Sequence, residues 1–175
     1  MSLGLAHGVG EPPAAEPVPA VIALGANLGD RAETLDAAVG ELRRLPLTSD
    51  VRVSAPLETV AVTLHGEDVD APRYLNAVAL VRTRLSAASL LDHLHGIEAR
   101  HGRVRRERWG DRTLDLDLIA YGDLQVATEK LTVPHPRAHE REFVLAPWAE
   151  VDPDATIPGR GRVAALLAQV RGETR

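Results

Sequence analysis

The alternation Leu114-Asp-Leu-Asp-Leu118 limits the fold of this chain more than any other feature. A helix would spread these five residues around its axis, whereas in a strand residues i and i+2 share a face. Leu114, Leu116 and Leu118 then point into a core, and Asp115 and Asp117 project together on the far side, about 7 Å apart along the chain. Two carboxylates that close repel one another unless a cation lies between them. Hard oxygen donors on an open face suit Mg²⁺, which keeps several waters and takes phosphate oxygens as further ligands. Two such ions can clamp a phosphoryl group during in-line displacement. The same pair also fits simple ion pairing with neighbouring arginines, or plain exposure to solvent.

Those arginines are Arg100, Arg103, Arg105, Arg106, Arg108 and Arg112, opposed within the same stretch only by Glu107 and Asp111. The net charge of −5 argues against a general nucleic-acid binder, so one basic patch on an acidic protein suits a compact anion better than a long polyanion. Metal and guanidinium can share a polyphosphate. Lys130 is the sole lysine, so part of the arginine excess is compositional habit. The chain has no cysteine, which excludes disulfides and thiolate metal sites.

At 175 residues, 45% hydrophobic, the chain has room for one domain with a sizeable core. Residues 1–19 read as a disordered leader, rich in Gly, Pro, Ala and Glu from Gly8 to Pro19, and residues 20–175 as a single domain. Met1 to Ala20 lacks the basic start and apolar run of a secretory signal, and no apolar run approaches the roughly 20 residues of a membrane helix. A cytoplasmic, soluble setting is the expectation.

Along the chain, Ala20–Leu24 reads as a buried strand, and Gly25 to Asp30 as a turn whose Asp30 caps a helix, with Glu33 in capping-box position. Leu35, Ala38, Val39, Leu42 and Leu45 keep helical spacing until Pro46. A strand over Val51–Val62, a polar loop over Leu64–Pro72 and a strand over Tyr74–Arg84 follow. Ser86 caps a second helix bearing Leu90, Leu91, Leu94, Ile97 and His101, and Gly102 closes it. After the arginine-rich loop come the strand Thr113–Tyr121, a short extended piece at Leu131–Val133, and a last helix at Val163–Val170. Two consecutive strands between helices favour an α+β sandwich of ferredoxin-like type, an antiparallel sheet flanked by helices, with C-terminal additions. That layout hosts many functions.

The run Gly102 to Asp117, GRVRRERWGDRTLDLD, closely resembles the 6-hydroxymethyl-7,8-dihydropterin pyrophosphokinase family of folate biosynthesis. Gly25-Ala-Asn-Leu-Gly29, Tyr74-Leu-Asn76 and Leu131-Thr-Val-Pro-His135, followed by Arg141 and Phe143, support it. The resemblance implies transfer of pyrophosphate from ATP, the co-substrate, to the hydroxymethyl group of a reduced pterin, giving AMP. It assigns Asp115 and Asp117 to two Mg²⁺ ions, and Arg103 and Arg112 to catalysis against the phosphates. Glu98, Arg103, Arg105, Arg108, Trp109, Arg112, Thr132, His135 and Arg141 are implied to line the ATP site. Thr59, Tyr74, Asn76, Trp109, Asp115 and Phe143 are implied to hold the pterin, Phe143 by stacking and Asn76 by hydrogen bonding.

A flat polar heterocycle needs an aromatic face and amide-type partners, which those residue types supply. Taken as residues alone, Trp109, Phe143 and Trp148 also fit core filling, His135 an ordinary loop histidine, and Glu98 a solvated helix residue. The segment Thr59 to Asp70 departs from the family pattern. A monomer with small-molecule substrates, no nucleic acid and no membrane is expected. The rival readings are another Mg²⁺-dependent nucleotidyl or phosphoryl enzyme, and an RNA-binding module on the same scaffold, against which the strands lack interleaved aromatics.

Overall fold

In a computed structural model of the chain, residues 12–63, 66–71, 73–102 and 113–173 are described. The central strand β1 (Val18–Ala26) is apolar on both faces because both faces are covered. Helix α1 (Arg31–Arg43) begins at Asp30, whose side chain accepts the Glu33 N–H at 3.0 Å, and it buries Leu35, Ala38, Val39 and Leu42. Strands β2 (Thr48–Val53), β3 (Leu57–Thr59), β4 (Ala61–Thr63) and β5 (Gly66–Asp68) lead into the long strand β6 (Tyr74–Thr83). Helix α2 (Ala87–Arg100) is capped by Ser86, which accepts the Ser89 N–H. Strand β7 (Asp115–Tyr121) follows, then the small pair β8 (Val126–Ala127) and β9 (Thr132–Val133). A 3₁₀ turn (Ala138–Glu140), α3 (Glu142–Val151), β10 (Thr156–Ile157), β11 (Gly161–Arg162) and α4 (Val163–Val170) complete the order. No helix among the described residues is long and apolar enough to cross a membrane.

The main sheet is antiparallel, in the order β2-β6-β1-β7, with β3 also pairing along β6. Leu90, Leu94 and Ile97 of α2, with the buried stripe of α1, pack on one face against Ile22, Leu24, Leu116 and Leu118. Val144, Leu145 and Trp148 of α3, with Val163 and Leu166 of α4, pack on the other against Val21, Val78, Leu80 and Ile119. A register shift between Val21 and Ile22 leaves Ile119 without a partner on β1, and at this bulge the consecutive Ile119 and Ala120 both face the second core.

Several sequence expectations change. The first strand is longer at both ends, and Gly25 lies inside it rather than in a turn. Val51–Val62 is not one strand. The Ser54 N–H donates to the Val78 carbonyl at 2.9 Å, but the Val78 N–H turns to the Ser54 hydroxyl at 3.0 Å, and Pro56 has no N–H to give, so pairing breaks and resumes as β3. Within the expected polar loop, β5 pairs with β4 as a hairpin. Helix α3 has no counterpart in the periodicity reading, because Pro147 sits inside it and proline ordinarily ends a helix. Burial of Val144, Leu145, Pro147 and Trp148 in the second core outweighs that local preference. Residues 1–11 of the expected leader lie outside the described residues. Ala14 and Pro17 are tied to the end of β6 through Arg84 and Arg82.

Candidate functional site

Register places the site residues. Asn76 on β6, Gly25 on β1 and Asp115 on β7 stand in one row across the sheet, and Val78, Ala23 and Asp117 stand in the next. The neighbours Leu24, Ala77 and Leu116 are buried under α1 and α2, so Asn76, Asp115 and Asp117 project from the opposite face. Asp115 and Asp117 are half-buried, as the alternation predicts, and their flanking leucines are in the core.

Gly25 is the floor between Asn76 and Asp115. A Cβ there would come within 3.2 Å of Asn76 Oδ1 and 4.0 Å of the Tyr74 ring. A glycine inside a strand pattern is a signal of close approach, and reading it as the start of a turn passed over that signal. On the far side of Asn76, the Asn76 side-chain amide donates to the Thr59 hydroxyl at 2.7 Å. Thr59 itself pairs with Tyr74. Three of the expected pterin-side residues and one aspartate therefore come from β3, β6 and β7 into adjacent positions.

Arg31 holds both ends of the chain segment that leaves and re-enters the sheet here. Its guanidinium donates to Glu58 at 3.0 Å and to the backbone carbonyl of Arg73. The sequence reading did not single it out.

Beside Asp117 lie His135 and Arg141. The His135 N–H donates to the Ile119 carbonyl at 2.8 Å, which fastens this loop against β7. Burial holds the His135 imidazole below its ordinary value; the Asp117 charge pulls it up, while Arg141 and Arg137 push it down. The Arg137 N–H donates to His135 Nδ1 at 3.2 Å, so the proton of the neutral ring sits on Nε2. Burial also lowers Arg141, against the pull of Asp117, but a guanidinium keeps its charge. Arg141 precedes α3 and sits over the Phe143 ring, 5.6 Å from its centroid. Phe143 is half-buried at the edge of the second core, whereas Trp148 is 3% exposed and is core.

Two further residues expected at the ATP site are Glu98 and Thr132. Glu98 is 3% exposed, and its Oε1 accepts the Leu116 N–H at 2.8 Å at the outer edge of β7. Thr132 turns its hydroxyl to the Thr128 carbonyl at 3.3 Å within the β8–β9 pair. Arg103, Arg105, Arg108, Trp109 and Arg112 lie outside the described residues. Their launching point is fixed: Glu41 of α1 accepts from Arg100 and His101, each at 2.7 Å, just before Gly102. Burial pushes the Glu41 carboxyl up, but the hydrogen bonds from Arg100 and His101 and their charges outweigh it and hold the group below the ordinary carboxylate value.

Among the described residues no three His, Asp or Glu side chains gather as a metal cage. Two carboxylates on one face suit a cation that draws its other ligands from water and substrate oxygens, as Mg²⁺ does, so the residues present fit that ion. The arrangement can hold a metal–phosphate unit at β7 beside the Arg141 cation, and a polar ring over Gly25 and Asn76.

The sequence profile of the family described as 7,8-dihydro-6-hydroxymethylpterin-pyrophosphokinase (HPPK) matches residues 21–153. A 2-amino-4-hydroxy-6-hydroxymethyldihydropteridine pyrophosphokinase of Haemophilus influenzae is 41% identical over 152 residues, covering 87% of this chain and 92% of the relative. The Mycobacterium leprae protein of the same name is 40% identical over 164 residues, with 86% and 82% covered. A Plasmodium falciparum HPPK-DHPS crystal structure superposes with a TM-score of 0.62 at 12% identity. That match takes in 93% of this chain but only 42% of the other, and at such low identity it speaks to fold alone. With the profile across the sheet and its aspartates, and relatives matched over most of their length, the chain belongs to the 7,8-dihydro-6-hydroxymethylpterin-pyrophosphokinase family.

Proposed function

We propose that the protein transfers pyrophosphate from ATP to the hydroxymethyl group of 6-hydroxymethyl-7,8-dihydropterin, giving AMP and the pterin diphosphate, a step of folate biosynthesis. The observation that carries this reading is the shared row of Asn76, Gly25 and Asp115, with Asp117 in the next row on the same face. One face thus offers a polar ring site and a cation site one strand apart. That is the separation an acceptor hydroxyl and a polyphosphate require if they are to meet.

In this reading the pterin ring lies over Gly25, where the lack of a side chain lets it approach the sheet. Asn76 hydrogen-bonds the ring edge, held in orientation by Thr59, and Phe143 offers its ring as a stacking face. Asp115 and Asp117 would hold Mg²⁺, which would supply neutralisation of phosphate charge there. The hydroxymethyl oxygen bonds to the β-phosphorus, the bond from that phosphorus to the oxygen bridging to the α-phosphorus breaks, and AMP leaves. The hydroxyl proton is released to solvent. Arg141 and the Nε2–H of His135 stand ready to donate to phosphate oxygens, and no covalent intermediate is required. Arg103 and Arg112 would add charge stabilisation, with Arg105, Arg108 and Trp109 beside the nucleotide.

The reading further has a ferredoxin-like sandwich, two Mg²⁺ ions, a monomer in the cytoplasm, and no nucleic-acid partner. The segment before Val18, where β1 begins, is read as a leader to a single domain. The test is product identity with Mg²⁺ and ATP. AMP should form only when the hydroxymethyl-dihydropterin is present. ADP as product, or AMP formation indifferent to the pterin, would overturn the reading.

A further inference from the structure

Glu98 occupies an unusual place for a carboxylate. It follows Leu94 by four residues, on the stripe that Leu90, Leu94 and Ile97 bury, and it is 3% exposed. A carboxylate in such surroundings is costly unless it is hydrogen-bonded. Its Oε1 accepts the N–H of Leu116 at 2.8 Å. Leu116 is the residue between Asp115 and Asp117, and β7 is the last strand of the main sheet. Asp115 and Asp117 pair with Gly25 and Ala23 of β1 on the inner side. The strand is therefore gripped from both sides at the point where the two carboxylates leave it.

We propose that Glu98 is a positioning residue for the carboxylate pair rather than a nucleotide contact. The peptide between Asp115 and Leu116 is planar, so anchoring its N–H fixes the rotation of the whole unit. That rotation sets the direction of the Asp115 side chain before it and, through Leu116, of Asp117 after it. Outer partners that orient metal-binding side chains are typically worth 10–100-fold in metal affinity. The inference rests on the metal-binding reading of Asp115 and Asp117.

The full chain, with a non-hydrolysable ATP analogue present, is titrated with Mn²⁺ and binding is read calorimetrically. Glu98→Gln keeps an acceptor oxygen at the same reach and should hold Mn²⁺ within about threefold of the unaltered chain. Glu98→Leu should weaken Mn²⁺ by roughly 10–100-fold while leaving affinity for the analogue in EDTA unchanged. Glutamine as damaging as leucine, or a loss confined to metal-free nucleotide binding, would overturn the proposal. Asp117→Ala separates the two layers. If it too binds Mn²⁺ normally, the metal reading has failed and this inference with it. If it loses Mn²⁺ while Glu98→Leu does not, only the role of Glu98 has failed. Should Glu98→Leu not fold, amide exchange on the unaltered chain decides: the Leu116 N–H should be strongly protected, and exchange at the rate of an exposed amide would overturn the proposal.

Discussion

The two faces of the sheet differ most at the end where β1 finishes and β6 and β7 begin. On the α1 and α2 side, Leu24, Ala26, Ala77 and Leu116 are all buried in one continuous core. On the other side, the intervening residues are Gly25, Asn76 and Asp115, and α3 and α4 cover Val21, Val78, Leu80 and Ile119 further along the strands. One stretch of backbone thus builds a sealed face and a reactive face from alternate residues. The sealed face supplies the rigidity, and the polar residues opposite inherit fixed positions from it.

Substitutions on the two faces should have opposite signatures. Asp117→Ala is expected to have the largest effect, a loss of roughly 10³-fold or more in kcat, with Tm within about 3 °C of the parent. An unaltered kcat in steady-state assays would break the division of labour. Leu94→Ala, directly behind the site in the sealed core, should cost about 2–5 kcal/mol of stability in denaturant titrations. Its KM values per folded molecule should stay unchanged, and a raised KM for either substrate would show that the faces are not separate. Gly25→Ala should displace Asn76 by a few tenths of an ångström, because the new methyl would sit 3.2 Å from its Oδ1. The expected result is a pterin KM raised roughly tenfold with little change for ATP. Thr59→Val removes the acceptor of the Asn76 amide and should raise the same constant by a smaller factor.

The faintest expected effect is a pH dependence in the anchor behind the arginine loop. Glu41 is held below its ordinary value of 4.5 in the folded chain, so the stability it contributes is fully present above that value. It is lost as pH falls below 4.5 through the lowered folded value. Glu41→Gln should flatten this part of an acid denaturation curve, and an unaltered curve would remove the anchor from the account.

The parts of the fold that were legible are those where local pattern and tertiary need agree. The Leu114–Leu118 alternation named both the core side and the carboxylate side. Asp30 and Ser86 marked two helix starts, and Val163–Val170 has the expected bounds. Helix α3 was not legible, because Pro147 speaks against a helix and only burial in the second core reverses it. The broken strand at Ser54 was hidden for a similar reason: a serine hydroxyl takes over a backbone position on Val78, and no periodicity reports that. In the site, the alternation of Leu and Asp gave the two aspartates, and the family resemblance supplied Asn76 and the other members. Gly25 and Glu98 needed the third dimension. One is important for the absence of a side chain above a particular row, the other for reaching a backbone amide at a sheet edge eighteen residues later.

The central claim is that one open end of one face holds both substrates together. Thermal unfolding tests it directly, with a non-hydrolysable ATP analogue and Mg²⁺, with the pterin, and with all together. The account predicts that the combined ligands raise Tm beyond the sum of the separate shifts in the unaltered chain, and that this excess vanishes in Asp117→Ala. A combined shift no larger than the greater single shift would contradict it.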